Sequence, residues 1–88
     1  MFEITSQDIL ERISRHCPSA FPVYLQCLNR QNNFGQVTFS RSMIEEEMSE
    51  SWTKFKNSLK KLALENILEW HLSDRGIEVT LAATDENE

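Results

Sequence analysis

Glycine, proline, cysteine and histidine each occur only twice among the 88 residues. With so little glycine there is no Gly-rich loop to cradle a phosphate, and neither H-E-x-x-H nor G-x-S-x-G occurs. An isolated Ser or His in so small a chain has no identifiable base or orienting partner, so enzymatic chemistry is not expected. Glu45-Glu46-Glu47 offers no acid–base pair either, because consecutive helical residues point in different directions; it reads as a solvated acidic face. Cys17 and Cys27 fit no zinc spacing, and His16 and His71 form no ligand pair with them. Neither metal nor cofactor is expected, and the thiols read as reduced and buried. The chain has no apolar run near the length needed to cross a bilayer. Met1-Phe2-Glu3-Ile4-Thr5 lacks both the basic start and the apolar core of a signal peptide, so a cytoplasmic protein with no membrane partner is expected. Repeats and low-complexity linkers are missing too. A chain of 88 residues can bury one core; residues 1–84 should form one domain and the acidic tail Asp85-Glu86-Asn87-Glu88 should be disordered.

What the chain does have lies between Ser40 and Leu81. Phe55, Leu59 and Leu62 recur at i, i+4 and i+7, with Lys54, Lys56, Asn57, Lys60 and Lys61 between them, which predicts a helix with one packed and one wet face. Ahead of it, Ile44 and Met48 suit a short helix capped by Ser40 or Ser42, and Ser42 with Glu45 has the form of a capping box. Met48-Ser49-Glu50-Ser51 fits the turn between the two, with Ser49 or Ser51 as the next N-cap. Asn66 suits the helix stop, because Asn tolerates the left-handed conformation. Ile67 to Leu72 reads as a strand, Asp74-Arg75-Gly76 as a turn and Ile77 to Leu81 as the returning strand. Helix, turn, helix and hairpin in that order predict a mainly α chain with a small β-sheet (α+β), a winged helix-turn-helix of three to four helices with a C-terminal β-hairpin wing.

The first half reads as scaffold. Thr5 and Asp8 could cap a helix whose Ile9, Leu10, Ile13 and Cys17 form a stripe, ended by Cys17-Pro18. A second helix is predicted from Ser19, with Pro22 in its first turn and Tyr24, Cys27 and Leu28 on the core. Asn32-Asn33-Phe34-Gly35 should form the exit turn, and Val37-Thr38-Phe39 a short strand pairing with the wing.

The residues from Pro18 to Leu81 resemble the winged-helix DNA-binding domains of bacterial MarR-type regulators and of plasmid or phage replication initiators. A pattern common there, "S…ia…lgvSrsTVsraLkkLeekGlI", lies over Ser40 to Leu68, with Met48 before the turn, Phe55 at the Val, Leu59 and Leu62 at the two Leu, and Asn66 at the Gly. Ser73-Asp74-Arg75-Gly76 and Val79-Thr80-Leu81 look like the Asp-Arg wing tip and return strand of MarR-type proteins. Pro18-Ser19-Ala20-Phe21 to Leu25, Leu28-Asn29-Arg30 and Gly35 are similar to the helix preceding the motif in initiators. The resemblance implies a small transcriptional regulator or a plasmid or phage accessory factor binding double-stranded DNA, although the fold also hosts protein-binding modules.

In that reading the second helix of the motif enters the major groove with Ser51, Trp52, Thr53, Lys56 and Asn57 nearest the bases and Lys54, Lys60 and Lys61 on phosphates, while Arg75 at the wing tip reaches the backbone or minor groove. Charge pulls both ways. The chain carries a formal net charge of −5, whereas phosphate neutralisation favours a basic surface. Yet the four lysines from Lys54 to Lys61 stand in an acid-free run, which reads either as a phosphate contact or as the wet side of an amphipathic helix. Trp52 reads as core against the preceding helix or as an exposed contact, to a thymine methyl or sugar of DNA or as a protein-binding anchor. A homodimer is expected, because one such module reads few base pairs, with Met1 to Cys17 as the candidate contact. The alternative is an interaction module that docks on a polymerase, replication or secretion component through Trp52 and the acidic helix Met43 to Glu50.

Overall fold

The first helix, α1 (Ser6–His16), puts Ile9 and Ile13 on one face, and both are buried, as is Cys17 just past its end. The structure, a computed structural model, describes residues 6–82. The expected Thr5 cap, the tail beyond Ala82 and the part of the dimer contact before Ser6 lie outside the described residues. Leu10, expected on the stripe, is instead 45% exposed. It stands about 100° round the helix from Ile9, so only one of this adjacent pair can face inward. The same geometry corrects Leu28, which is exposed beside the buried Cys27; Val23, one turn before Cys27, takes the core place with Tyr24.

Pro18–Ala20 forms a 3-10 turn, so the second helix, α2 (Phe21–Arg30), begins at Phe21 rather than at Ser19. Pro22 sits in its first turn, where a missing N–H costs nothing. Asn32 then organises the exit turn, its Oδ1 accepting from the backbone N–H groups of Phe34 (2.8 Å) and Gln36 (3.0 Å). Strand β1 (Gln36–Phe39) follows, as expected.

The helix after β1 departs from expectation. Met43–Glu47 is wound as a π helix, with the Met48 N–H donating to the Met43 carbonyl at 3.0 Å. Ser40 supplies the cap, its Oγ accepting from the Met43 N–H at 3.1 Å. The Ser42–Glu45 box does not form, because Glu45 is taken by the Arg41 guanidinium at 3.0 Å and the Ser42 side chain makes no cap bond. Ser49, in the left-handed region at φ 55°, turns the chain into α3 (Trp52–Leu64).

Phe55, Leu59 and Leu62 of α3 are wholly enclosed. The helix closes as a Schellman motif: the Ile67 N–H reaches the Leu62 carbonyl (3.1 Å), the Asn66 N–H reaches that of Ala63 (2.9 Å), and Asn66 takes φ 61°. Strands β2 (Leu68–Ser73) and β3 (Gly76–Leu81) form the hairpin. Its turn is the pair Asp74-Arg75, with Ser73 opposite Gly76. Gly76 therefore belongs to the strand rather than to the turn. Its φ of +127° and the Phe39 carbonyl, 2.2 Å from where a Cβ would stand, leave room for glycine alone.

The sheet is antiparallel in the order β1-β3-β2. Val37, Phe39, Ile77, Val79, Leu81 and Leu68 on its inner face meet the helices, and Phe39 packs edge-on against Phe55 with ring centroids 4.9 Å apart. Trp70 shares that face but is only half-buried, and Leu72, nearer the tip, is 55% exposed, so core contact fades along the hairpin. The fold is thus mixed α+β, helices followed by a β-hairpin that completes a three-stranded sheet, an arrangement compatible with a winged helix.

Candidate nucleic-acid interface

Burying Phe55, Leu59 and Leu62 fixes which way α3 faces. At about 100° per residue, Thr53, Asn57, Lys60, Lys61 and Leu64 fall on the strip opposite the core, and all five are exposed. Lys54 is exposed beside Lys61, whereas Lys56 lies on the flank and is half-buried. The lysine ammonium groups make no salt bridge among the described residues.

The start of α3 is more constrained than its middle. Ser51 is the N-cap, its Oγ accepting from the Lys54 N–H at 3.3 Å, so its hydroxyl already serves the helix. Trp52 packs partly into the core. Its ring meets the Arg41 guanidinium (5.4 Å to the centroid) and the Lys56 ammonium (5.7 Å). These contacts tie Trp52 to the body of the protein and bring Lys56, and Arg41 with its Glu45 partner, to the N-terminal end of the helix. Arg41 was not among the residues expected at this surface; it lies ahead of the motif helix, and nothing in the local spacing points to it.

The far end of α3 is clamped by α1. The Arg12 guanidinium donates to the Glu65 carbonyl at 2.8 Å, a cation at a helix C-terminus, and the His16 ring meets the Glu65 carboxylate at 2.9 Å. α3 is thereby held along its length by core on one side and at its end by α1.

Arg75 stands apart. At the hairpin turn its N–H donates to Ser73 Oγ (3.1 Å), and the residue lines a cavity of about 560 Å³ on the outer face of the sheet, to which α3 contributes no residue. The structure thus gathers Ser51 to Lys61 on one helix and places Arg75 on a different surface. Leu64 was also missed. It is 82% exposed although apolar, and its position off the Phe55-Leu59-Leu62 stripe was readable.

The cysteines are free and buried. Burial pushes the Cys27 thiol up to about 12, and burial with the nearby Glu65 carboxylate raises Cys17, which makes both poor nucleophiles near neutrality. Among the described residues no group of three His, Cys, Asp or Glu could hold a metal, and no helix is long and apolar enough to cross a membrane. The chain matches no protein-family model, no curated protein and no solved structure.

Proposed function

We propose that this chain is a winged helix-turn-helix protein that binds double-stranded DNA sequence-specifically, as a small cytoplasmic regulator of transcription or an accessory factor of a plasmid or phage. The observation that carries the reading is the outer strip of α3: exposed Lys60 and Lys61 flank exposed Asn57 and Thr53, with exposed Lys54 alongside and no carboxylate from Ser51 to Leu64. Such a strip can place amide and hydroxyl groups against base edges while ammonium groups meet phosphates on either side. Asn57 and Thr53 are the readers, Asn being able to pair bidentately with adenine. Lys54, Lys60 and Lys61 hold the backbone. Lys56, against Trp52, adds positive charge at the end of the helix that leads into the groove, whereas Arg41 is paired with Glu45. Two copies on a symmetric site would double the few base pairs that one module reads. The test is fluorescence anisotropy with random-sequence and selected duplexes across a salt series. Binding whose logarithm falls linearly with log salt supports the reading; no binding to either duplex at low salt overturns it.

One observation favours a protein partner instead. Leu64 lies in line with Asn57, Lys60 and Lys61 at 82% exposure, and Leu72 is 55% exposed on the hairpin. Exposed apolar side chains beside a positive strip would suit an acidic partner with an apolar anchor. Leu64→Lys separates the two readings: it should strengthen DNA binding and abolish a protein contact.

A further inference from the structure

The second basic surface lies on the other side of the molecule's sheet. Across its outer face run cross-strand rows, of which Thr38, Glu78 and His71 make one. Arg30, from the last turn of α2, and Arg75, from the hairpin turn, both line the cavity of about 560 Å³ above that row.

Neither arginine has a carboxylate partner among the described residues. Arg30 donates only to neutral atoms, to Gln26 Oε1 at 3.2 Å and Met43 Sδ at 3.7 Å. The single acid in the lining, Glu78, is already engaged on the β2 side: Ser73 Oγ donates to its Oε2 at 2.9 Å and His71 Nε2 lies 3.2 Å from its Oε1. Two arginines without a carboxylate partner thus line one cavity. Guanidinium groups favour planar, multiply hydrogen-bonding anions, and phosphate above all.

The remainder of the lining narrows the class. Thr38 and Thr80 offer hydroxyl groups, Gln36 an amide, and no Phe, Tyr or Trp lines the cavity. The one ring in the lining, His71, is held to Glu78 at 3.2 Å, and the hydroxyl and amide groups around it would give a sugar hydrogen-bonding partners. We propose that this cavity binds a sugar phosphate, with the phosphate between Arg30 and Arg75 and the sugar hydroxyls on the Thr38–Thr80 side. The volume falls within the range of small-molecule sites. The same chemistry is offered by a free phosphorylated sugar and by the sugar–phosphate backbone of a nucleic acid. The inference does not rest on α3, since no α3 residue lines the cavity.

The experiment is an amide NMR titration of the full chain at low salt, with ribose 5-phosphate in one arm and a random-sequence duplex in the other, and with ribose as the uncharged control. Saturable shifts at Thr38, His71, Arg75 and Glu78 with ribose 5-phosphate, absent with ribose and weakened about tenfold or more in Arg30→Gln, support the free-ligand source. Shifts at those residues with the duplex alone, together with a salt slope lowered by about one in Arg30→Gln, support the backbone source. Glu78→Gln keeps the shape and removes the repelling carboxylate, so it should tighten binding several-fold in whichever arm binds. It tests the site even if Arg30→Gln does not fold. No shift at these residues in either arm, or weaker binding in a folded Glu78→Gln, overturns the proposal. Lys60→Ala distinguishes its failure from that of the α3 reading, because that change should weaken duplex binding and leave ribose 5-phosphate untouched.

Discussion

Two leucines on one helix offer a sharp test of how α3 is oriented. Leu59 is completely enclosed, whereas Leu64, five residues on, is 82% exposed. Replacing either by Ala removes the same atoms and raises helix propensity slightly, so the difference between the variants isolates burial. Leu59→Ala opens a cavity among Phe55, Leu62 and their neighbours in the core and should cost about 2–5 kcal/mol. A domain of this size has a total stability of about 4–13 kcal/mol. Since each kcal/mol shifts Tm by about 4–8 °C in small domains, Leu59→Ala should melt at least about 8 °C below the parent chain. Leu64→Ala should fall within about 0.5 kcal/mol of it. Urea unfolding followed by far-UV circular dichroism gives both midpoints, and an unchanged slope confirms that stability rather than compactness has moved. Coincident midpoints for the two variants would refute the placement of α3, and with it the identity of its outer strip.

Lys54→Ala and Lys60→Ala should each weaken binding to all duplexes alike and lower the salt slope by about one unit in anisotropy titrations. Asn57→Ala should lose about 1–3 kcal/mol on the preferred site and little on a scrambled one; equal losses on both would remove Asn57 as a reader. Asn66→Ala, at φ 61°, should destabilise by about 1 kcal/mol in urea unfolding, and Asn66→Gly should be nearly neutral or stabilising. Burial raises Cys27 to about 12, so above about pH 9 the unfolded thiol ionises while the folded one stays protonated. Stability should therefore be complete below pH 9 and fall at up to about 1.4 kcal/mol per pH unit as pH approaches 12, a component that Cys27→Ala should lack in pH-dependent unfolding.

The parts of the fold that could be read from sequence are those where one local signal is sufficient. The i, i+4, i+7 spacing in α3 located Phe55, Leu59 and Leu62, and alternation in β3 located Ile77, Val79 and Leu81. Asn66 marked the helix stop because few residues accept its conformation. Leu10 and Leu28 were misplaced because hydrophobicity alone does not say which of two adjacent apolar residues looks inward; the packing partner decides. The π winding at Met43–Glu47 was illegible for a related reason. Ser42 and Glu45 have the form of a capping box, but Arg41 competes for the same carboxylate and Ser40 already holds the Met43 N–H. On the candidate surfaces, helical periodicity was enough to put Thr53, Asn57, Lys60 and Lys61 on one strip. The meeting of Arg41 with Trp52, and of Arg30 with Arg75 across the sheet, depends on contacts between distant segments.

The distribution of charge sets how α3 would act on DNA. Its 13 residues span about 20 Å, bounded by Glu45, Glu46, Glu47 and Glu50 before it and Glu65 after it. At physiological salt the screening length is about 8 Å, so a phosphate against the middle of the helix meets the lysines with the end carboxylates largely screened. As salt falls, that screening weakens and the acidic body opposes the approach. Attraction and repulsion thus grow together on dilution of salt, and the overall slope should be shallower than four lysines alone would produce. The repulsion acts on specific and non-specific complexes alike and lowers both affinities by a similar factor. If α3 binds DNA, the base contacts of Asn57 and Thr53, not the charge distribution, would therefore set the ratio of specific to non-specific binding, which is the quantity that matters for finding a site.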